Sequence, residues 1–373
     1  MADVRPFRAL CFREPLAEVV APPYDVLSEE QVRLWQTRSP HNVTHLTRPG
    51  SDYEAAGRRL RQWLAESVLQ TERKPAFYIH ETHFAGRRRI DLMGALRLEA
   101  FESGVVLPHE LTHPGPKEDR LRLFGATQTS LEPLWFLTEG LTQLLAAAPE
   151  GVVTEFDYCD EHHILRRLAE PRWLDEARGF LADRQLLIAD GHHRYETALH
   201  RSGELGGDPD ASSRFTLALL SDLEDPGLVV LPTHRLLKTG VAVTGGEPTA
   251  DLAQTLDLLR GRVAAGTYRG GQFQLLPLEG EVAVVELHRQ VIDNVLGKRN
   301  PEDFLAYTRD AEEAVRWVDG EDGVAAFFLD TPDLQAILRL ARRGEMMPQK
   351  ATYFYPKPPS GMLLMQSSPE RNL

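Results

Sequence analysis

The chain has 373 residues and a formal net charge of −13, from 42 Lys and Arg against 55 Asp and Glu. A hydrophobic content of 42% with 26% charged residues is typical of a folded globular protein and excludes a disordered one. The length favours two or three domains. The acidic balance disfavours broad electrostatic binding to nucleic acid or to anionic lipid, so we expect neither partner.

The sequence also allows a prediction of the cellular compartment. Two cysteines, Cys11 and Cys159, cannot build a disulfide framework. Charged residues interrupt the first fifteen positions, which therefore do not resemble a signal peptide. No apolar run is long enough to cross a bilayer. We predict a cytoplasmic protein, and no pattern in the sequence indicates its oligomeric state.

The first half of the chain mixes strands and helices. In chain order we predict a short helix capped by Ser28, a helix at 52–69, strands at 76–84 and 91–101 joined as a hairpin, a polar loop at 108–120, a strand at 133–138, a helix at 139–148, a strand at 151–156, helices at 160–169 and 172–183, a strand at 185–190, a helix from about 193 to 202, and strands at 214–221 and 228–231.

The second half follows a linker predicted at 239–248. There we expect, grouped by type, helices at 249–260, 301–318 and 332–343 and strands at 272–276, 282–287 and 324–329, followed by an aromatic tail at 345–364 that packs on the protein. Alternating strands and helices predict an α/β fold, with mixed α+β as the alternative. We divide the chain into an N-terminal region at 1–130, a central region at 131–238 and a C-terminal region at 249–373.

The most informative motif lies where the predicted strand at 185–190 meets a helix. Asp190 ends the strand, Gly191 follows, and His192, His193 and Arg194 begin the helix. A glycine in such a turn lets the backbone approach a ligand, and a helix N-terminus offers unpaired N–H groups to an anion. Imidazole and guanidinium groups add donors for phosphate. A carboxylate such as Asp190 could hold Mg²⁺. The alternative is a purely structural corner.

A second motif, residues 109–113, matches the H-E-x-x-H pattern of zinc proteases. That chemistry needs both histidines on one face of a regular helix, but prolines flank the motif on both sides. We therefore disfavour zinc catalysis. Glu110 could instead act as a general base on a hydroxyl, or be an ordinary solvated glutamate. We interpret the other histidines, at positions 80, 83, 162 and 163, as exposed or half-buried.

Two further polar clusters are candidate binding groups, one after a predicted strand and one in the tail. His234 and Arg235 come after the apolar run at 228–231, and Lys350 and Thr352 stand among aromatic residues. These side chains could bind a carboxylate or phosphate, or could be buried structural groups. Near the N-terminus, a proline-rich turn carries Tyr24 and Asp25.

These motifs carry a family resemblance over essentially the whole chain. Five segments in order resemble domain-of-unknown-function family 1015: APPYDV at 21–26, PHELTH at 108–113, ADGHHRYETAL at 189–199, PTHR at 232–235 and PQKATYFYPK at 348–357. Residues 186–203 are more distantly similar to the signature of the archaeal free-serine kinases, members of the ParB/sulfiredoxin-like superfamily. The resemblance implies a ParB/sulfiredoxin-like catalytic region with additional N- and C-terminal α/β segments.

The kinase resemblance implies a function. We expect a nucleotide-dependent phosphotransferase for a small hydroxyl compound such as L-serine, with Mg²⁺ and with ATP or ADP as phosphoryl donor. The implied roles are Glu110 as base, Asp190 as metal or substrate ligand, Gly191, His192, His193 and Arg194 as phosphate ligands, and Lys350 and Thr352 as substrate contacts. We also expect His234 and Arg235 to contact the substrate. The alternatives are a nucleotide-binding sensor without turnover and a phosphoester hydrolase.

Overall fold

The computed structural model describes residues 1–112, 114–206, 208–239, 246–297, 299, 301–320 and 322–373, with backbone only at 114–117 and 302. The strands are β1 (Val4–Arg5), β2 (Leu10–Phe12), β3 (Leu69–Thr71), β4 (Phe77–Phe84), β5 (Arg87–Arg97), β6 (Val106–Leu107), β7 (Thr129–Ser130), β8 (Leu134–Thr138), β9 (Val152–Tyr158), β10 (Glu161–Leu168), β11 (Leu186–Asp190), β12 (Phe215–Asp222), β13 (Val229–Leu231), β14 (His234–Leu237), β15 (Glu247–Thr249), β16 (Ala264–Arg269), β17 (Gln272–Pro277), β18 (Leu305–Thr308), β19 (Ala325–Phe328), β20 (Tyr353–Tyr355) and β21 (Met365–Gln366).

The helices alternate with these strands, so the fold is mixed α/β. They are α1 (Leu16–Val19), α2 (Glu29–Arg38), α3 (Thr44–Thr47), α4 (Tyr53–Ala65), α5 (Pro114–Thr127), α6 (Leu141–Ala146), α7 (Pro171–Ala182), α8 (His192–Leu205), α9 (Leu252–Leu259), α10 (Ala283–Leu287), α11 (Asp293–Leu296), α12 (Pro301–Phe304), α13 (Ala311–Asp319) and α14 (Leu334–Arg342). Among the described residues, no helix is long and apolar enough to cross a membrane.

The chain forms two compact units. The large unit comprises Met1–Pro108, Thr112–Leu228 and Pro356–Leu373, and the small unit comprises His109–Leu111 and Val229–Tyr355. The three-region division expected from the sequence stays a prediction.

A mixed nine-stranded sheet organises the large unit. Its main path runs β6-β11-β8-β12-β5-β4-β10-β9, and β1 pairs with β5. All eight residues of β12 are buried, as expected for a central strand covered on both faces. Apolar side chains of β8, β11 and β12 form the core together with residues of α7 and α8, among them Trp173 and Tyr195. This packing fixes the carboxyl end of β11, where the phosphate-binding motif was predicted.

Two predictions that rest on interactions between residues close in the sequence were confirmed. Ser28 caps α2 in a capping box with Gln31. The predicted hairpin is formed by β4 and β5, whose turn residues Ala85 and Gly86 both have positive φ, at 44° and 72°. Such paired left-handed residues match the twist of the flanking strands.

The helix predicted at 160–169 is wrong, because this segment is strand β10. Cys159 and Asp160, with φ of 49° and 62°, make a two-residue turn that pairs β10 with β9. Burial along β10 alternates largely with period two, and pairing to β4 on the other side decides the outcome. Consequently His80 and His163 are fully buried, which corrects the prediction that they are exposed or half-buried.

The loop predicted at 108–120 is wrong beyond Pro114, where α5 begins. Proline is compatible with a first helical turn, because the N–H that it lacks has no partner there in any case. The proline-rich segment therefore initiates a helix.

The small unit is built on an antiparallel six-stranded sheet in the order β15-β17-β16-β19-β14-β18. Two predictions fail in it. The strand predicted at 282–287 is mostly helix α10, and the helix predicted at 301–318 is interrupted by β18, which pairs with β14. In both cases tertiary packing overrides a short local pattern. The predicted linker includes residues 240–245, which lie outside the described residues.

Candidate functional site

A tight strand-to-helix turn in the large unit carries the predicted phosphate ligands. Asp190 ends β11, Gly191 adopts φ of +98°, and α8 begins at His192. A Cβ on Gly191 would lie 2.7 Å from Leu134 Cδ2, so glycine is required both by conformation and by space. The first turn of this 14-residue helix presents backbone N–H groups beside His193, which is half-buried.

Asp190 is held between two cations. Its Oδ1 lies 2.6 Å from Lys357 Nζ, and its Oδ2 accepts a 2.7 Å hydrogen bond from Arg194. Burial alone would raise the pKa of Asp190, but Lys357 and Arg194 outweigh burial and lower it. Lys357 Nζ also donates to Asp25 at 2.7 Å. Asp190 is therefore an ionised, charge-compensated carboxylate at the start of the helix.

Arg194 ties this turn to the N-terminal proline-rich segment. Its Nη1 donates to the carbonyl of Pro133 at 2.9 Å and lies 3.5 Å from Glu132. Glu132 in turn accepts from the Tyr24 N–H at 3.1 Å. Burial would lower the pKa of Arg194, but Glu132 and Asp190 reverse the effect and raise it. The guanidinium is thus a permanent cation.

No role was predicted from the sequence for three members of this network. All three belong to the large unit: Lys357 contacts Asp190, Glu132 contacts Arg194, and Asp25 contacts Lys357. Two of them stand in segments already singled out, the PPYD turn and the tail. Glu132 follows the apolar Leu131 without any motif around it, so only the structure could identify it.

Glu110 lies in the small unit together with Lys350 and Thr352. It forms a parallel β-bridge with Met347. Its carboxylate accepts hydrogen bonds from the Lys350 N–H at 3.1 Å, the Thr352 N–H at 2.9 Å and the Thr352 hydroxyl at 2.9 Å. Lys350 has a left-handed φ of 53°, which turns the chain around the carboxylate.

Glu110 is extended rather than helical, which does not fit the helical zinc-protease arrangement. His109 is buried, and its Nε2 lies 2.9 Å from the Thr352 hydroxyl. His113 lies outside the described residues. Among the residues described, no group of three or more His, Cys, Asp or Glu side chains is arranged to hold a metal ion.

His234 and Arg235 are both buried in the small unit. Arg235 is fully buried and donates to the carbonyls of Thr233 and Lys350, the latter at 3.1 Å. Burial lowers the pKa of Arg235 to about 10. His234 Nδ1 accepts from the Leu329 N–H at 3.2 Å. In this arrangement Arg235 supports the turn at Lys350 and His234 holds the backbone at Leu329. Contact of either residue with substrate stays a prediction.

The residues around Asp190 do not fit a protein-held magnesium ion. Both carboxylate oxygens already face a cation, Lys357 on one side and Arg194 on the other. Mg²⁺ prefers oxygen ligands whose charge is not otherwise compensated, together with several waters. We therefore derive no chemical step through a metal at Asp190.

Comparison with known proteins gives a family and several solved structures. The structure of a free serine kinase mutant in complex with AMP is similar over 72% of this chain and 91% of its own, with 14% identity and a TM-score of 0.43. A conserved hypothetical protein from Pyrococcus furiosus covers 72% and 94%, with 17% identity and a TM-score of 0.40. C-terminally truncated SbnI from Staphylococcus aureus covers 70% and 82%, with 12% identity and a TM-score of 0.36.

Likeness at this level is too low to carry a functional conclusion. No curated protein matches the sequence. The family model described as "Protein of unknown function (DUF1015)" matches residues 4–328. Because that match covers most of the chain, the protein belongs to the DUF1015 family.

Proposed function

We propose that the protein is a nucleotide-dependent phosphotransferase that acts on a small hydroxyl compound, with free L-serine as the first candidate. The observation that carries the proposal is the turn in the large unit, where a left-handed Gly191 opens a long helix beside two cations, Arg194 and Lys357, whose side chains are 15% and 9% exposed. Helix N-termini with such donors bind phosphate groups. The motif resemblance to the serine kinases supports the same assignment.

The turn at Gly191 supplies anion binding in this proposal. Backbone N–H groups after Gly191, with the side chains of His192, His193 and Arg194, bind the phosphates of ATP or ADP. Phosphoryl transfer depends mainly on positioning and on charge stabilisation, which such donors provide. Asp190 holds Arg194 and Lys357 in place through its two short ion pairs.

Glu110, Lys350 and Thr352 supply the acceptor chemistry in this proposal. Glu110 takes the proton of the substrate hydroxyl, and Lys350 and Thr352 bind the substrate. The three hydrogen bonds to Glu110 orient its carboxylate. A base must be held within reach of the proton that it removes, and this anchoring provides the required rigidity.

One observation favours a second candidate, a nucleotide-binding sensor without turnover. Hydrogen bonds to an ionised carboxylate stabilise its charge and make it a weaker base. Glu110 accepts three such bonds from residues of its own unit. If they persist when ligand is bound, Glu110 anchors the turn instead of taking a proton.

The test is ³¹P NMR of the purified protein with Mg²⁺, L-serine, and ATP or ADP. We expect a phosphomonoester signal that disappears in Glu110→Gln, while nucleotide lines still broaden on binding. Glu118→Gln is the matched control, because that side chain is 66% exposed in α5. Nucleotide broadening without product in the wild type would support the sensor instead. Phosphate release from phosphoserine without nucleotide would indicate the hydrolase.

A second pair of variants tests the anion site. Arg194→Ala should weaken nucleotide binding, whereas Arg201→Ala, on the same helix but paired with Glu204 away from the turn, should not. Circular dichroism confirms that both variants fold. Equal affinity of both variants for nucleotide would overturn the assignment of the turn.

A further inference from the structure

Arg235 is a fully buried cation on a rigid strand of the small unit. Its strand, β14, is paired on both sides, and Arg235 lies opposite Tyr307 of β18 and Phe327 of β19. A side chain on such a strand is held more precisely than one on a loop. Burial lowers the pKa of Arg235 to about 10, against the opposing effects of Tyr307 and Glu110. The guanidinium is therefore charged at pH 7.

The N–H groups of this guanidinium reach three different segments of the chain. Nη1 donates to the Thr233 carbonyl, and Nη2 donates to the Lys350 carbonyl at 3.1 Å. Nε lies 3.5 Å from His288 Nε2. Burial and the nearby Arg235 lower the pKa of His288 to about 3, so this imidazole is neutral at pH 7 and can accept the Nε–H. These contacts fix the direction of the guanidinium.

A single peptide group connects Arg235 to Glu110. The peptide between Gln349 and Lys350 turns its carbonyl oxygen toward Arg235 Nη2, at 3.5 Å, and its N–H donates to Glu110 Oε2 at 3.1 Å. The negative end of the peptide dipole thus faces the guanidinium, and the positive end faces the carboxylate. Hydrogen bonds in such a chain polarise and strengthen one another. Arg235 is therefore a counter-charge for Glu110 that acts through the backbone.

The turn that carries this peptide needs support. Lys350 has a left-handed φ of 53°, which is unfavourable for a residue with a side chain and persists only where its surroundings impose it. Arg235 holds the Lys350 carbonyl, while the N–H groups of Lys350 and Thr352 donate to Glu110. The Glu110 side chain is 14% exposed, whereas Arg235 is fully buried. Glu110 can meet a ligand directly, and Arg235 acts through the turn.

We infer that Arg235 is a positioning residue, which sets the direction of the Glu110 carboxylate by holding the turn at 349–352. The chemical role of Glu110 as a base rests on the function proposed above, but the physical link between Arg235 and Glu110 does not. This role differs from the substrate contact that the sequence predicts for Arg235, because it requires no contact with substrate.

The first test measures amide hydrogen exchange by NMR of the full-length protein. Arg235→Met removes the charge and all the side-chain donors, so the amides of Lys350 and Thr352 should exchange at least about ten-fold faster. The amides of β16 and β17 should keep their wild-type rates, which shows that the small unit stays folded. Unchanged exchange at Lys350 and Thr352, or an equal acceleration in β16 and β17, would overturn the inference.

Two more variants complete this test. Arg260→Met is the matched control, because the Arg260 side chain is 79% exposed in the same unit and its loss should leave both amides at their wild-type rates. If Arg235→Met fails to fold, Arg235→Lys replaces it. Lysine keeps the charge but lacks the planar set of N–H groups, so both amides should still exchange about three-fold faster or more. Wild-type rates in folded Arg235→Lys would refute the link.

The second test asks whether Arg235 acts on Glu110. Wild type, Arg235→Met, Glu110→Gln and the double variant form a cycle for the exchange rate of Thr352. Because both side chains hold the same turn, the acceleration in the double variant should be smaller than the product of the two single accelerations. A double variant that equals this product would show that the two residues act independently, which contradicts the inference.

Turnover supplies the functional measurement. Arg235→Met should lower kcat at least about ten-fold and leave the KM for nucleotide within about two-fold, because the base loses its orientation while the nucleotide donors are unchanged. An unchanged kcat in a variant with accelerated exchange would overturn the positioning role. Absence of turnover in the wild type would refute the proposed function instead, and the exchange result would still decide the link between Arg235 and Glu110.

Discussion

Replacing Lys357 with Met should destabilise the protein by about 2–4 kcal/mol at pH 7. The Lys357 side chain is 9% exposed, and its ammonium contacts Asp190 at 2.6 Å and Asp25 at 2.7 Å. Removing one partner of a buried ion pair costs about 3–5 kcal/mol, because the other charge stays buried without compensation. Two features reduce this figure. Asp190 keeps its contact with Arg194, and Asp25 is 43% exposed and regains water.

The pH dependence of the loss follows from Asp190. Its pKa is lowered in the folded state, so its ion pairs contribute stability that is present above the unfolded value of about 4 and lost as pH falls through the folded value. Without Lys357 the folded pKa rises toward the unfolded one. The difference in free energy of unfolding between wild type and variant should therefore shrink in acid.

Urea unfolding measures both effects. Four proteins complete a double-mutant cycle: wild type, Lys357→Met, Asp190→Asn and the double variant, whose loss should be smaller than the sum of the single losses. Arg58→Met is the control, because the Arg58–Asp52 pair is about 60% exposed on both sides and should cost less than about 1 kcal/mol. A Lys357→Met loss no larger than that of the control, or one independent of pH, would refute the reasoning.

Two further predictions concern the turn and the buried histidines. Gly191→Ala should lower the free energy of unfolding by about 1–3 kcal/mol, because alanine is strained at the positive φ of this position. Gly203→Ala, within the helix that follows and with open space around it, should raise the free energy of unfolding by about 0.5–1 kcal/mol. Equal urea midpoints for the two variants would contradict this prediction. Burial lowers the pKa of His80 and of His234 to about 4 and that of His288 to about 3. The unfolded state thus binds more protons between pH 4 and 6.5, so the free energy of unfolding should decrease as the pH is lowered through that range, by about 2 kcal/mol per histidine at pH 5. A free energy of unfolding that stays constant between pH 7 and pH 5 would contradict this prediction.

Short-range chemistry accounts for what could be predicted from the sequence. A capping serine before a polar first turn places the start of α2 at Ser28, and a glycine between an apolar strand and an amphipathic helix places the turn at Gly191. These outcomes depend on φ preferences and on hydrogen bonds to residues a few positions away. The alternation of strands and helices likewise sufficed for the mixed α/β class.

Only the tertiary structure decided the outcomes that depend on distant partners. Residues 161–168 form a strand because β4 and β9 flank them, although their local pattern also suits a helix. Glu110 meets Thr352 across 242 positions, and Lys357 reaches Asp190 from a separate segment of the chain. The sequence named the residue types for an anion site. No local pattern identifies the cation that compensates Asp190 or the groups that donate hydrogen bonds to Glu110. These contacts depend on packing, because they form only when distant segments of the chain are brought together.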